Sequence, residues 1–341
     1  MDEFTHTIEW LLEDSYPLTK YNTLVHILGR PSSDSEVQES LEGMLTSKPI
    51  KAIFNHQNKD GGFFQEKWLK THNPYWVNAK YLPKYKATTW QARFLCEAGV
   101  PKEDSRIQKL GKYILETMYT PEQGFYKDKL ACLNADMVWA LIKWGFENDS
   151  RVKHAFDIQA RYQRFDDGDW QPPEEWPYEG LKGHCYGPNS CIVGIMQFLR
   201  TLTVVPDSYL TTRVEDLKRK TLDFYQKHGV LERNIVRKYS KSLGSYRNHR
   251  IHPNNILTSP SFGRNDVVEV ITNLLRLGMK EVESLQDGID FILSKKTENQ
   301  RWILENTKST MYSSWGKKGK ENKWVTFRVL LMLKLIGMAF P

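Results

Sequence analysis

The sequence predicts an all-α protein assembled from repeated helical hairpins, and three observations carry that prediction. Five segments follow one plan: an amphipathic helix, a polar turn with Gly or an Asn/Gln substitute, an aromatic, a connection, and a second helix that is more apolar. In the first helix of each pair apolar residues recur at three and four positions, as in Val152, Ala155, Phe156 and Ile158 or Ile289, Phe291, Ile292 and Leu293. That spacing marks one buried face. The second helices are apolar most of the way round and must be buried, while no stretch alternates convincingly as a strand.

Taken in order, the first pair is "HTIEWLLEDS" followed across Pro17 by "LTKYNTLVHILG", with Gly29-Arg30-Pro31 as its C-terminal stop. "IKAIFNHQNKDGGFF" leads to "ATTWQARFLCEAGV", "IQKLGKYILETMYTPEQGFY" to "LNADMVWALIKWGF", and "VKHAFDIQARYQRFDDGDW" to "NSCIVGIMQFLRTL". The last two pairs join "VEDLKRKTLDFYQKHGVL" to "GRNDVVEVITNLLRLGM" and "LQDGIDFILSKKTENQRW" to "KWVTFRVLLMLKLIGM". Six such hairpins build either an open superhelix or a closed ring with an inner and an outer layer. Residues 1–341 read as one domain with a basic insertion at about 233–260.

The turns "QNKDGGFF", "YTPEQGFY" and "QRFDDGDW" resemble the Gln-x-x-x-Gly-x-Trp/Phe repeat of the terpenoid cyclase and protein prenyltransferase superfamily. The likeness runs from about Ile8 to Met338 and is strongest to the single-domain, squalene-cyclase-like proteins. It implies an (α/α)6 toroid, a frame that hosts cyclases, transferases, lyases and binding proteins. Gln163, Asp167, Gly168 and Trp170 fill the slots of Gln57, Asp60, Gly61 and Phe63, so the acidic run in "YQRFDDGDW" reads as a tight turn. Acid-initiated cyclases of the superfamily protonate with Asp-x-Asp-Asp, whereas the run here is Asp-Asp-Gly-Asp.

Composition limits the function classes. At 40% apolar and 12% aromatic residues over 341 positions, the chain can bury a large core. The start "MDEFTHTIEW" has no basic region before an apolar stretch, and the longest apolar run, "VLLMLKLIGMAF", is short and holds Lys334. A cytoplasmic protein with no membrane span is expected. Four cysteines make a poor disulfide framework. The net charge of +7 favours anionic partners, and "RNIVRKYSKSLGSYRNHRIH" (233–252) holds six Lys/Arg, two His and no acid. Such a segment reads as a solvated loop or as an anion-binding flap. No nucleotide-binding Gly-rich fingerprint is present, and tight nucleic-acid binding is not expected.

In a toroid the connections entering the inner helices form the rim of a central cavity. Those connections gather Cys132, Asp136, His184, Cys185, Cys191, Arg264, Asp266, Glu305, Asn306 and Trp324. Cys132, Cys185 and Cys191 with His184 form the kind of donor set that suits zinc, or else are packed thiols beside a rim histidine. Arg264 is a candidate for holding a phosphate or carboxylate, while Asp266, Glu305 and Asp136 are the candidate proton-transfer carboxylates, with capping and ion pairing as the alternative. Trp90, Trp139 and Trp324 offer rings for an apolar or cationic group, or simply pack the core. With Asn306 and His184 they complete the expected ligand-contacting set. The resulting expectation is a cyclase, lyase or transferase acting on an apolar small molecule, such as an isoprenoid, or on an anionic one. The rival is a non-catalytic toroid that docks an acidic protein or nucleic acid through the basic insertion.

Overall fold

Helices form where the two periodicities put them. The computed structural model describes residues 4–125, 131–165, 190–231, 233–240, 245–251, 255–261, 266–280 and 285–340. In chain order the helices are α1 (Thr5–Leu12), α2 (Pro17–Asn22, continued by a π turn over Thr23–Ile27), α3 (Ser35–Thr46), α4 (Lys48–Phe54), α5 (Trp68–Thr71) and α6 (Pro74–Asn78). They continue with α7 (Thr88–Glu97), α8 (Ser105–Thr117), α9 (Ala131–Lys143), α10 (Ser150–Tyr162), α11 (Ile192–Leu202) and α12 (Thr212–His228), and close with α13 (Val267–Arg276), α14 (Leu285–Ser294) and α15 (Lys323–Leu335). Among the described residues no helix is long and apolar enough to cross a membrane.

The apolar second helices of the six pairs are α2, α7, α9, α11, α13 and α15. Each packs on the next: α7 on α9, α9 on α11, α11 on α13, α13 on α15, and α15 back on α2 and its π turn. The remaining neighbours, α2 and α7, are joined where Asn22 Nδ2 donates to the Ala98 carbonyl at 3.1 Å. Each of three first helices packs against the second helix of the preceding pair, α10 against α9, α12 against α11 and α14 against α13.

The repeat signature explains how each pair is locked. Gln57 donates from Nε2 to the Gly61 carbonyl at 3.0 Å and to the Arg106 carbonyl of α8 at 2.9 Å, tying its own turn to the next outer helix. Asp60 accepts the Gly62 N–H at 2.9 Å, and Gly61 sits at φ +96°. The aromatic that follows is buried, and its backbone N–H donates to a side chain of the next inner helix. Phe63 donates to Thr88 of α7, Phe125 to Asn134 of α9 and Trp302 to Thr326 of α15, at 3.1, 3.0 and 3.0 Å. Asp-Ser-Arg starts both α8 and α10: Asp104 and Asp149 accept the N–H of Arg106 and Arg151, and each carboxylate also pairs with that arginine's guanidinium.

Three features depart from expectation. The basic segment is neither loop nor helix but an antiparallel hairpin, β1 (Arg233–Ser240) with β2 (Ser245–Ile251), in which Tyr239 opposes Tyr246. Ile235, Val236 and the tyrosines are strong strand formers, and the density of Lys and Arg between them obscures the alternation. Helix α3 was not anticipated; Asp34 caps it by accepting the Glu36 N–H at 2.8 Å, and Val37 and Met44 anchor its inner face. The short helices α5 and α6 likewise interrupt the link from α4 to α7. The turn reading of Asp167, Gly168 and Trp170 concerns positions outside the described residues.

The turn geometry makes a direct prediction. A Cβ at position 61 would collide with the Lys109 carbonyl in addition to being strained at positive φ, whereas Gly29, at φ +68°, faces open space. Gly29→Ala should therefore cost about 1–2 kcal/mol, the left-handed penalty alone. Gly61→Ala should cost at least about 2 kcal/mol more, as overpacking is added. Urea denaturation of the two variants checks the difference.

Candidate functional site

Four inner helices each carry a charged residue inside an apolar run: Arg93 on α7, Asp136 on α9, Arg200 on α11 and Glu269 on α13, all buried. Burial of an unpaired charge is prohibitive, so these groups have to satisfy one another. Arg93 Nη1 donates to both oxygens of Asp136 at 2.9 and 3.2 Å, and its Nη2 reaches both oxygens of Glu269 at 3.4 and 3.3 Å. Arg200 Nη1 donates to Glu269 at 3.1 Å, and its Nη2 bonds Asp136. Each guanidinium thus bridges both carboxylates, closing a four-membered network across α7, α9, α11 and α13.

The segment 255–261 enters this network. The Ser261 carbonyl accepts from Arg93 Nε at 2.8 Å, while its hydroxyl accepts from Arg93 Nη2 at 2.9 Å and donates to Glu269. Burial alone would raise the Glu269 pKa, but the charges of Arg93, Arg200 and Arg328 and the Ser261 hydrogen bond outweigh it and hold the group down at about 2.

A second ion pair stands beside the first. Asp266, fully buried, accepts Arg328 of α15 through both oxygens at 2.8 and 3.0 Å, accepts the Thr258 hydroxyl at 2.7 Å, and caps α13 by accepting the Glu269 N–H at 3.1 Å. These two networks balance three arginines against three carboxylates and leave one carboxyl over. Glu97, at the end of α7, accepts the Ser261 N–H at 2.9 and 3.0 Å and Trp324 Nε1 at 3.1 Å. Among the described residues no basic group lies within ion-pair distance of it. Burial raises its pKa above the usual glutamate range, against the more distant charges of Arg328 and Arg93.

Glu97 lies on the wall of a cavity of about 140 Å³. All six inner helices or their ends contribute to the lining: Asn22 and His26, Cys96 and Glu97, Trp139 and Lys143, Arg200, Glu269 to Arg276, and Trp324 to Leu331. His26, Lys143 and Arg276 are exposed, which puts the mouth at the C-terminal ends of these helices. The expected rim was at the opposite, N-terminal ends.

The predicted residues divide accordingly. Trp139 and Trp324 line the cavity, but Trp139 already carries the Arg200 guanidinium over its ring at 3.8 Å. Asp136 and Asp266 are corrected from acid–base candidates to counter-ions, because donors held by the fold occupy their oxygens. Glu305 is corrected likewise: it pairs with Lys295 at 2.5 Å and accepts the Leu257 N–H at 2.7 Å, away from the cavity wall. Asn306 joins it in pinning the 255–261 segment through backbone bonds to Leu257 and Ser259. Trp90 packs against Tyr81, Tyr85 and Phe94, with Nε1 on the Tyr81 carbonyl, and does not line the cavity.

Cys191 caps α11, its Sγ accepting the Gly194 N–H at 3.4 Å, and Cys132 lies in the first turn of α9. Among the described residues no three His, Cys, Asp or Glu side chains converge in a metal-binding arrangement. His184, Cys185 and Arg264, which the zinc and anion expectations need, lie outside the described residues. Compared with known proteins, the chain matches no family model and no curated sequence.

Glu269 yields a pH-dependent prediction. Its folded pKa is depressed, so its contribution is present above the ordinary glutamate value and lost as pH falls toward about 2. Glu269→Gln should destabilise the protein by about 3 kcal/mol or more at pH 7, since it leaves buried arginine charge uncompensated. The gap from wild type should narrow between about pH 4.5 and pH 2, measured by chemical denaturation across that range.

Proposed function

We propose that the chain is an (α/α)6 toroid enzyme that transfers a proton to or from a small anionic molecule in its central cavity. The cyclic order of contacts among α2, α7, α9, α11, α13 and α15 supports the toroid. The resemblance of the turns to the terpenoid cyclase and protein prenyltransferase repeat points to the same frame.

One observation carries the chemistry. Glu97 is a cavity-wall carboxyl without a counter-ion, held by the Ser261 N–H and the Trp324 indole. A carboxyl that keeps its proton past the usual range is a usable general acid and, once ionised, a stronger base than an ordinary glutamate. Arg200, Arg328, Lys143 and Arg276 line the same space. Positive charge there stabilises an enolate or other developing anion and opposes a carbocation, and the face of Trp139 is already covered by Arg200. The balance favours a lyase or isomerase acting on an anionic substrate over an isoprenoid cyclase.

The rival reading, a toroid that docks a polyanion through its basic insertion, has one observation in its favour. In the backbone register of the hairpin Lys238 stands opposite Arg247, so the strands bring basic positions of the sequence together. Its signature is polynucleotide binding that falls steeply with salt.

The enzyme reading is tested by isotope exchange. Incubated in D₂O with a small-metabolite extract, the wild-type protein should introduce deuterium into an anionic metabolite, detected by mass spectrometry. Glu97→Gln should slow that exchange by roughly 10²–10⁴-fold, the usual span of general acid–base catalysis. Absence of exchange, or equal exchange by both proteins, would contradict the proposal.

A further inference from the structure

Five of the six inner helices end on a basic residue: His26 at the end of the α2 π turn, Lys143 on α9, Arg200 on α11, Arg276 on α13 and Lys334 on α15. A cation in a helix's last turn is ordinary, because it meets the negative end of the macrodipole. The roles of these five differ, however. Lys334 donates to the carbonyls of His26 and Ile27 at 3.2 and 2.7 Å, and Arg200 is held in the buried network. Lys143 and Arg276 both line the cavity, and among the described residues neither has an ion-pair partner. The nearest aromatic face to Lys143 is Trp139, at a distant 5.9 Å.

Two further groups are left without partners at the same place. Asn273 is only 2% exposed and lines the cavity, yet its Nδ2 has no acceptor among the described residues. Arg200, 5% exposed and also on the lining, has an unpartnered Nε. A buried donor without an acceptor costs on the order of 1–3 kcal/mol, a cost that an anionic ligand would remove. All the unsatisfied groups are donors or cations.

The charge count sets the valence of what is missing. Arg93, Arg200 and Arg328 are offset by Asp136, Glu269 and Asp266. Lys143 and Arg276 remain as two positive charges at the mouth, and Glu97, whose pKa burial raises, offsets them less readily than an ordinary carboxylate would. We propose that the cavity mouth is a subsite for a small dianion, bound between Lys143 and Arg276 with Asn273 Nδ2 and Arg200 Nε as hydrogen-bond donors. This deepens the proton-transfer reading by naming the substrate class, and it rests on that reading only for the place of Glu97 on the same cavity wall.

Titration calorimetry at fixed ionic strength with two probes, inorganic phosphate and succinate, tests the proposal. Phosphate represents a compact dianion and succinate two separated carboxylates. One of them should bind at a single saturable site. Lys143→Gln and Arg276→Gln should each weaken it roughly tenfold or more, the effect of one lost charge-assisted contact. Lys153→Gln, on the exposed side of α10, should change nothing, and both mouth variants should keep the wild-type melting temperature because the side chains are exposed. Binding that survives Glu97→Gln supports the subsite even where deuterium exchange is absent, so the two proposals fail separately. Absence of saturable binding of both probes, or binding that both mouth variants retain unchanged, would overturn the subsite.

Discussion

The closed network of Arg93, Asp136, Arg200 and Glu269 is the constraint around which the inner helices are arranged. Helix pairs built only from apolar surface can slide or rotate at modest cost, since hydrophobic contact has little directionality. Two guanidinium forks bridging two carboxylates fix the relative height and rotation of α7, α9, α11 and α13. Removal of one partner strands buried charge at about 3–5 kcal/mol, far more than a surface pair would contribute. The network is also a tether for chain that is not helical. Through Ser261 it draws in the segment before α13, and the backbone bonds of Asn306 together with Glu305 hold the other side of that segment.

Glu97 owes its character to this arrangement. Arg93, Arg200 and Arg328 already face Asp136, Glu269 and Asp266, so among the described residues the remaining carboxyl accepts from a backbone N–H and an indole. Neighbouring carboxyls therefore follow opposite paths: Glu269 is held ionised by arginines, and Glu97 is pushed toward its neutral form by burial. Divergent environments for paired titratable groups are a recurring way to separate a structural charge from a reactive one. At the mouth the same logic operates with cations, where Lys334 and Arg200 are engaged while Lys143 and Arg276 are not.

The frame was legible in the sequence because its signals are local. The 3.6-residue period marked the outer helices, continuous apolar runs marked the inner ones, and the Gly-aromatic turns set the junctions at Phe63, Phe125 and Trp302. The site was legible only in part. Candidates drawn from the polar connections, such as Asp266 and Glu305, prove to be caps and counter-ions, since loops before helices attract carboxylates for that purpose. The residues that line or organise the cavity lie inside "WQARFLCE", "MQFLR" and "VVEVI", where Arg93, Glu97, Arg200 and Glu269 interrupt otherwise apolar helices. A charge inside a helix that must be buried is itself the signal, because it requires a partner on a neighbouring inner helix. Which partner it meets depends on helix rotation and on which helices are neighbours, and no single segment encodes those. The hairpin was hidden by its charge density.

The central claim is that burial raises the pKa of Glu97 above the ordinary glutamate value while the arginines hold that of Glu269 below it. Infrared difference spectroscopy of the wild-type protein against Glu97→Gln, followed across pH, measures this directly. The account predicts a protonated-carboxyl band absent from the variant, with a midpoint above the ordinary glutamate value. A Glu97 that is already ionised at or below that value would contradict it.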